Sequence, residues 1–306
     1  MSKKKTVKGQ NGNKLDAWET EMISVKHLPI NFKHLLLGIL FGVFVFTPSI
    51  LASVSEAQAL QQQAIQRIER YIDHFRRTFD RSSLRQELIQ AQRELEASIA
   101  LFRGAGVLDG AGHSLVKLGD NHRYLDNWDA AMTAYEEAAR IAREAHTPAV
   151  ECKALLGHAR ALLYGKMATG AALELVTQAL PVAEQVDDHS HIFDAWDLLA
   201  QIQLGQGDLV GAADSMNRAF SFEKAIQDDK LLYYGYLDRA DVYQKFAEKC
   251  DYQRDFKPCL DAVDRARRDY EAALAVARKL HWDGLADQTR GFIKRLDIRK
   301  ELIKGQ

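Results

Sequence analysis

The chain has 306 residues, 47% of them hydrophobic and 27% charged, with a formal net charge of −1 and only five prolines. That length and apolar content suffice for one large or two ordinary domains rich in helix. The near-zero charge, with no basic stripe interleaved with aromatics, excludes a nucleic-acid binder held by bulk electrostatics, and Cys152, Cys250 and Cys259 are too few for a disulfide framework.

Residues 1–34 form a polar segment of mixed charge, within which Met22 offers a second start. The run Leu35–Ala52 carries no charge and is interrupted by Pro48. At about 1.5 Å per residue it nearly spans a ~30 Å hydrocarbon core. Lys26, His27, Lys33 and His34 precede it, which favours crossing of the body. Ser55-Glu56-Ala57 and Ala57-Gln58-Ala59 then put small residues where a signal peptidase reads them. Residues 35–57 are expected to be a signal peptide cut after Ala57 or Ala59, leaving an exported, periplasmic body. Two other readings stay open: an uncleaved inner-membrane anchor with the body outside the cytoplasm, and a buried core helix. No cysteine follows the run, which excludes a bacterial lipoprotein anchor.

The spacing of Ile65, Ile68, Tyr71, Ile72 and Phe75 predicts a helix over 58–79, and Leu88, Ala91, Leu95, Ile99 and Phe102 predict a second over 84–103. Residues 58–106 read as an N-terminal hairpin or cap. From Val107 onward a repeat emerges. Ala131, Ala172, Ala212 and Ala266 recur about forty residues apart at first and further apart in the last step. Each is followed by a larger residue (Tyr135, Val176, Met216, Tyr270) and then by a second alanine (Ala138, Ala179, Ala219, Ala273). Upstream, Leu115, Leu118, Gly119 and His122 match Leu156, Ala159, Arg160 and Leu163, then Trp196, Leu199, Ala200 and Gln203, then Tyr236, Arg239, Ala240 and Tyr243. Small residues let antiparallel helices approach closely, and larger ones fill the gap to the next hairpin, so stacked hairpins bury what one cannot. In the clearest unit, Asp194–Ala225, Gly205 and Gly207 supply the turn. The pairs Gly104–Gly106 and Gly110–Gly112 follow no strand and read as turn glycines, not a phosphate cradle.

The W-x2-L-(G/A)-x2-Y and A-x3-F-x2-A spacings from Trp196 to Ala219 resemble the tetratricopeptide repeat (TPR) family, long-repeat type of about forty residues. The resemblance implies an all-α, right-handed solenoid of antiparallel helix hairpins. It covers four units over 107–281, with an insertion near 244–260 and a capping helix over 282–306. The units lack the family's terminal proline, and Arg160 and Arg239 stand where small or apolar residues are usual. The resemblance also implies a peptide-binding groove lined by first-helix residues. Carried onto this chain, those are His113, Asp120, Arg123 and Tyr124; Gly157, Ala161 and Tyr164; Asp194, Asp197, Gln201 and Leu204; and Tyr234, Leu237, Asp241, Gln244 and Lys245. The core of that set is Arg123, Tyr124, Tyr164, Asp194, Asp197, Gln201, Tyr234, Asp241 and Lys245.

Cys250 and Cys259 flank the insertion, and either a disulfide or two free thiols fits them; Cys152 reads as a core residue of its helix. His189 and His191 beside Asp187, Asp188, Asp194 and Asp197 could hold a metal, but the Asp and Ser residues read better as a helix cap, so no metal site is assigned. No catalytic motif occurs, and neither an enzyme activity nor a cofactor is expected. The expected function is an exported or membrane-tethered scaffold or adaptor that binds a protein or peptide, including basic ones, in its groove, with no nucleic acid and no membrane contact beyond the apolar run. A peptide-sensing regulatory module is the alternative, and an enzyme with an unrecognised helical site the third reading.

Overall fold

A computed structural model describes residues 30–186, 188–251 and 256–305, with the side chains of residues 30–48 outside the description. The chain divides into two compact units, Met1–Ala52 and Ser53–Gln306. In the first, residues 30–52 belong to a helix, α1 (Ile30–Thr78). Met22 as a start, the polar stretch 1–29 and most side chains of the apolar run lie outside the described residues. Among the described residues, no helix is long and apolar enough to cross a membrane.

α1 runs unbroken through Ala57 and Ala59, where the cleavage site was expected. Ala57 is fully buried in a small cluster with Phe102 and Ala111, and Ser98 Oγ donates to its carbonyl at 2.9 Å. A cut after Ala57 or Ala59 would take a core residue away from the folded body.

The second unit is built of helices. After α1 come α2 (Arg85–Gly104), α3 (Leu108–Tyr124), α4 (Trp128–Glu144), α5 (Pro148–Arg160, continued by a π turn, Ala161–Gly165) and α6 (Thr169–Ala183). They are followed by α7 (His189–Gln206), α8 (Leu209–Phe220), α9 (Asp229–Lys249), α10 (Phe256–Lys279) and α11 (Asp283–Lys304). Four hairpins, α3/α4, α5/α6, α7/α8 and α9/α10, stack in chain order, and α3, α5, α7 and α9 also touch one another in succession. The result is a TPR-like, all-α solenoid of paired helices with one layer of first helices and one of second helices.

The sequence repeat accounts for this stacking directly. Ala131, Ala172, Ala212, Ala266, Ala138, Ala179, Ala219 and Ala273 are each 0% exposed, and Tyr135, Val176, Met216 and Tyr270 are buried between them. Tyr135 is wedged between two first helices: a Cβ at Gly119 would come within 2.6 Å of its ring, and one at Gly157 within 2.4 Å.

Three local expectations change. In the second unit the small position is Ala159, fully buried, not Arg160; the helix is offset there by one residue, which frees Arg160 to face inward. Arg239 keeps its place because its charge is matched, with Nε and Nη2 donating to Asp269 at 2.9 and 2.6 Å and its guanidinium 3.5 Å from the Phe220 ring. Gly110 and Gly112 lie inside α3, not in a turn. Gly205 is likewise helical, and the reversal rests on Gly207 (φ +82°), with Asp208 Oδ1 accepting from Gly211 N at 2.9 Å to start α8.

Candidate functional site: a cavity between the first helices and α1

The first helices present their free side to the last turns of α1. Tyr71, Ile72, Phe75 and Arg76 of α1 face Tyr124 of α3, Arg160 and Tyr164 of α5, Asp194, Asp197 and Gln201 of α7, and Tyr234 and Asp238 of α9, around a cavity of roughly 450 Å³. α1 is held there at its C-terminal end. Arg76 Nε donates to Tyr234 Oη at 3.2 Å, and its guanidinium lies 4.2 Å from the centre of the Trp282 ring. A Cβ at Gly284, in the first turn of α11, would meet the Arg77 carbonyl at 2.7 Å. The first hairpin therefore touches the last helix.

The structure brings seven of the nine core groove residues to this one cavity: Arg123, Tyr124, Tyr164, Asp194, Asp197, Gln201 and Tyr234. Asp241 and Lys245 are elsewhere. Asp241 accepts a hydrogen bond from the Tyr270 hydroxyl, and Lys245 Nζ pairs with Glu248 at 2.7 Å. Sequence reasoning missed Arg160, Leu231, Asp238 and the four residues of α1. Arg160 was hidden by the one-residue offset in α5, and the buried Ala159 beside it was the available signal. Asp238 lies one helical turn after Tyr234, where spacing by four would have found it. The α1 residues belong to no repeat, and nothing in the period points to them.

The walls are polar and linked. Arg160 pairs with Asp194. Gln201 Nε2 donates to both Asp197 Oδ2 and Asp238 Oδ2 at 2.7 Å, while its Oε1 accepts from the Tyr164 hydroxyl. Asp197 is only 4% exposed, and its Oδ1 has no hydrogen-bond partner. Arg123 Nε is also buried without a partner, and its nearest acid is Asp120, 3.7 Å away. Burial first, then the neighbouring Asp194, pushes the Asp197 carboxyl up to about 7, against the opposing pull of Arg160. Burial, Asp197 and Asp241 push Asp238 well above the usual carboxylate range. Both shifts favour the protonated form of the pair.

Elsewhere, Asp188 caps α7 by accepting from Ser190 N at 2.9 Å. His191 is buried, with Nδ1 3.3 Å from Asp188 Oδ2, and burial lowers its pKa. Among the described residues no group of three or more His, Cys, Asp or Glu could hold a metal ion. Cys250 and Cys259 are joined in a disulfide with Cα atoms 5.5 Å apart. Cys152 is buried in α5, and desolvation pushes its thiol up to about 12, out of reach of reactivity. A second, more apolar cavity of about 720 Å³ lies beside the disulfide, between Val210, Tyr243, Phe246, Pro258 and Arg265.

No family model matches the chain, and no curated protein matches it. Among solved structures it is similar to BtubC from P. vanneervenii, at 17% identity and a TM-score of 0.46, over 70% of this chain and 92% of that one. It is similar to a signal transduction ATPase with a tetratricopeptide repeat sensor from Pyrococcus horikoshii, at 14% identity and a TM-score of 0.49, over 84% of this chain and 42% of that one. NprR in complex with its cognate peptide NprX is similar at 16% identity and a TM-score of 0.41, over 95% of this chain and 82% of that one.

Proposed function

We propose that this helical-repeat protein binds a short peptide in the cavity between its first helices and α1, and acts as a peptide-sensing module. The observation that carries the reading is the closure of the groove. Tyr71, Phe75 and Arg76 of α1 turn what would be an open concave face into a bounded cavity of roughly 450 Å³, a size suited to a few residues or a chain end rather than a long partner. Tyrosines from four elements supply apolar contact with a polar tip, and the paired Arg160 and Asp194 with the Asp197–Asp238 wall supply orientation. The module carries no catalytic motif, so its output would come from what the bound peptide does to the position of α1.

The second reading, a scaffold for a larger protein, is favoured by the apolar cavity beside the disulfide, where Val210 is 65% exposed. A photo-crosslinking amino acid placed at Tyr164 or at Val210 of the full chain in its host separates the two. A short peptide captured at Tyr164 is the expected result. Capture of a protein at Val210 with nothing at Tyr164 would replace the sensing reading by the scaffold.

Compartment is a separate proposal that rests on residues 35–52 alone. An exported body is expected in the extracytoplasmic fraction, with any cut upstream of Val54 because Ala57 is part of the core. N-terminal sequencing of the fractionated protein reads both, and a body recovered only from the cytoplasm would remove the proposal.

A further inference from the structure

Two polar atoms of the cavity wall are left unsatisfied by the protein itself, Arg123 Nε and Asp197 Oδ1. Asp197 is buried to more than nine-tenths, lines the cavity, and leaves Oδ1 without a hydrogen-bond partner. Its other oxygen is held by Gln201, which at the same time holds Asp238. Gln201 is itself fixed by the Tyr164 hydroxyl. Gln201 and Tyr164 thus hold Asp197 of α7 and Asp238 of α9 toward one space. The base that acts on both carboxyls, Arg160, is already engaged by Asp194. A buried acid pair with no cation of its own carries a large desolvation cost unless it keeps a proton or gains a counter-charge.

We propose that the Asp197–Asp238 wall is the recognition site for a primary ammonium group on the bound peptide, either its N-terminal amine or a lysine side chain. The inference rests on the peptide-sensing reading and names what the peptide must carry. An ammonium fits better than a guanidinium: it is a compact charge with three donors, suited to two carboxyls drawn together by one Gln201 amide. The aromatic faces of Tyr164 and Tyr234, which share the cavity, would cover its alkyl stem or the adjacent residue. An arriving ammonium would displace a proton that burial favours on the pair, and that proton would leave to solvent. Binding is then expected to tighten as pH rises through neutrality. The charged and titratable groups around the pair are Arg160 and Tyr164 from α5, Asp194 from α7 itself, Asp241 and Tyr234 from α9, Arg123 and Tyr124 from α3, and Tyr71 and Arg76 from α1; of the cations, Arg160 is engaged by Asp194, Arg76 by Tyr234 and Trp282, and Arg123 lies 3.7 Å from Asp120.

The test is affinity selection by the full chain from a positional-scanning hexapeptide library, prepared in one arm with free N-termini and in the other with acetylated ones. Enrichment of lysine over norleucine at one position in the acetylated arm identifies a side-chain ammonium. Retention in the free arm alone identifies the terminal amine. Either result supports the proposal. In Asp197→Asn combined with Asp238→Asn, or in Asp238→Asn alone should the pair not fold, the preference for the cation is expected to fall at least tenfold, while Asp214→Asn, at an exposed position of α8 away from the cavity, leaves it intact. Peptides retained with no cation preference overturn the ammonium site and leave the peptide reading standing. A preference that survives the Asp→Asn changes also overturns it, and retention of no peptide at all overturns both.

Discussion

Tyr135 shows how a single side chain sets the pitch of the stack. Its ring lies against the backbone of Gly119 in α3 and of Gly157 in α5, and its hydroxyl donates to Asp120 at 2.7 Å. Alanine at 157 would gain up to ~1 kcal/mol of helix propensity, but its Cβ would sit 2.4 Å from a ring carbon of a fully buried residue. Overpacking of that kind costs about 1–3 kcal/mol, so Gly157→Ala is expected to lower stability in urea denaturation; an unchanged or raised midpoint would show that Tyr135 is free to move. Asp197 gives a prediction of a different kind. Its carboxyl titrates at about 7 in the folded chain against an unfolded value of 3.8. The folded state therefore binds the proton more tightly, and stability is highest below the unfolded value and falls as pH rises from about 4 to about 7. Asp197→Asn removes that dependence. Its melting temperature is expected to match the natural protein near pH 4 and to exceed it progressively up to pH 7, by an amount on the order of a few kcal/mol in stability. A gap that did not grow with pH would mean that Asp197 is ionised at no cost.

At the level of elements, α1 does two unrelated jobs. Through Arg67, whose guanidinium bonds Glu94 at 2.9 Å and Glu87 at 2.9 Å, it pairs with α2 as the first hairpin. Through Arg76 it reaches Tyr234 and Trp282 at the far end of the stack. Arg76→Ala removes a buried cation–π contact of about 0.5–2 kcal/mol and a hydrogen bond of about 0.5–1.5 kcal/mol. The expected loss is roughly 1–3 kcal/mol, accompanied by faster hydrogen exchange over residues 70–78 but not over α4. An equal rise in exchange everywhere would show that α1 is not a separable element. This double role also explains what the residues disclose in order. The small–large–small pattern of the second helices is legible because every unit must solve the same packing problem, so Ala131, Ala172, Ala212 and Ala266 recur in phase and the fold follows. The inner wall is legible only as far as the phase holds. One residue of slip around Ala159 exchanged Arg160 for its neighbour, and Asp238 replaced Asp241. The contribution of α1 lies outside any period. Tyr71, Phe75 and Arg76 read as an ordinary apolar helix face until the last repeat is seen to lie against them.

For the body as a whole, stability in a stack of hairpins is close to a sum of units and the interfaces between neighbours, so a local loss should stay local unless something bridges the ends. The Cys250–Cys259 bond joins the end of α9 to the start of α10 across a separation of 9 residues, and closing so short a loop contributes about 2–3 kcal/mol on the chain-entropy model. Cys250→Ser with Cys259→Ser is expected to loosen α9, α10 and α11 first, while α4 and α6 keep their protection in hydrogen exchange. Because Arg76 and Arg77 rest on Trp282 and Gly284, the same variant should also release the last turns of α1, far away in sequence. Protection lost in α9–α11 and in residues 71–78 together, with the middle hairpins unaffected, is the signature of a stack whose two ends are clasped. Loss confined to α9–α11 would show that the clasp carries no energy. In that case α1 could leave the cavity without disturbing the repeats, and the bounded site on which peptide sensing depends would open at little cost.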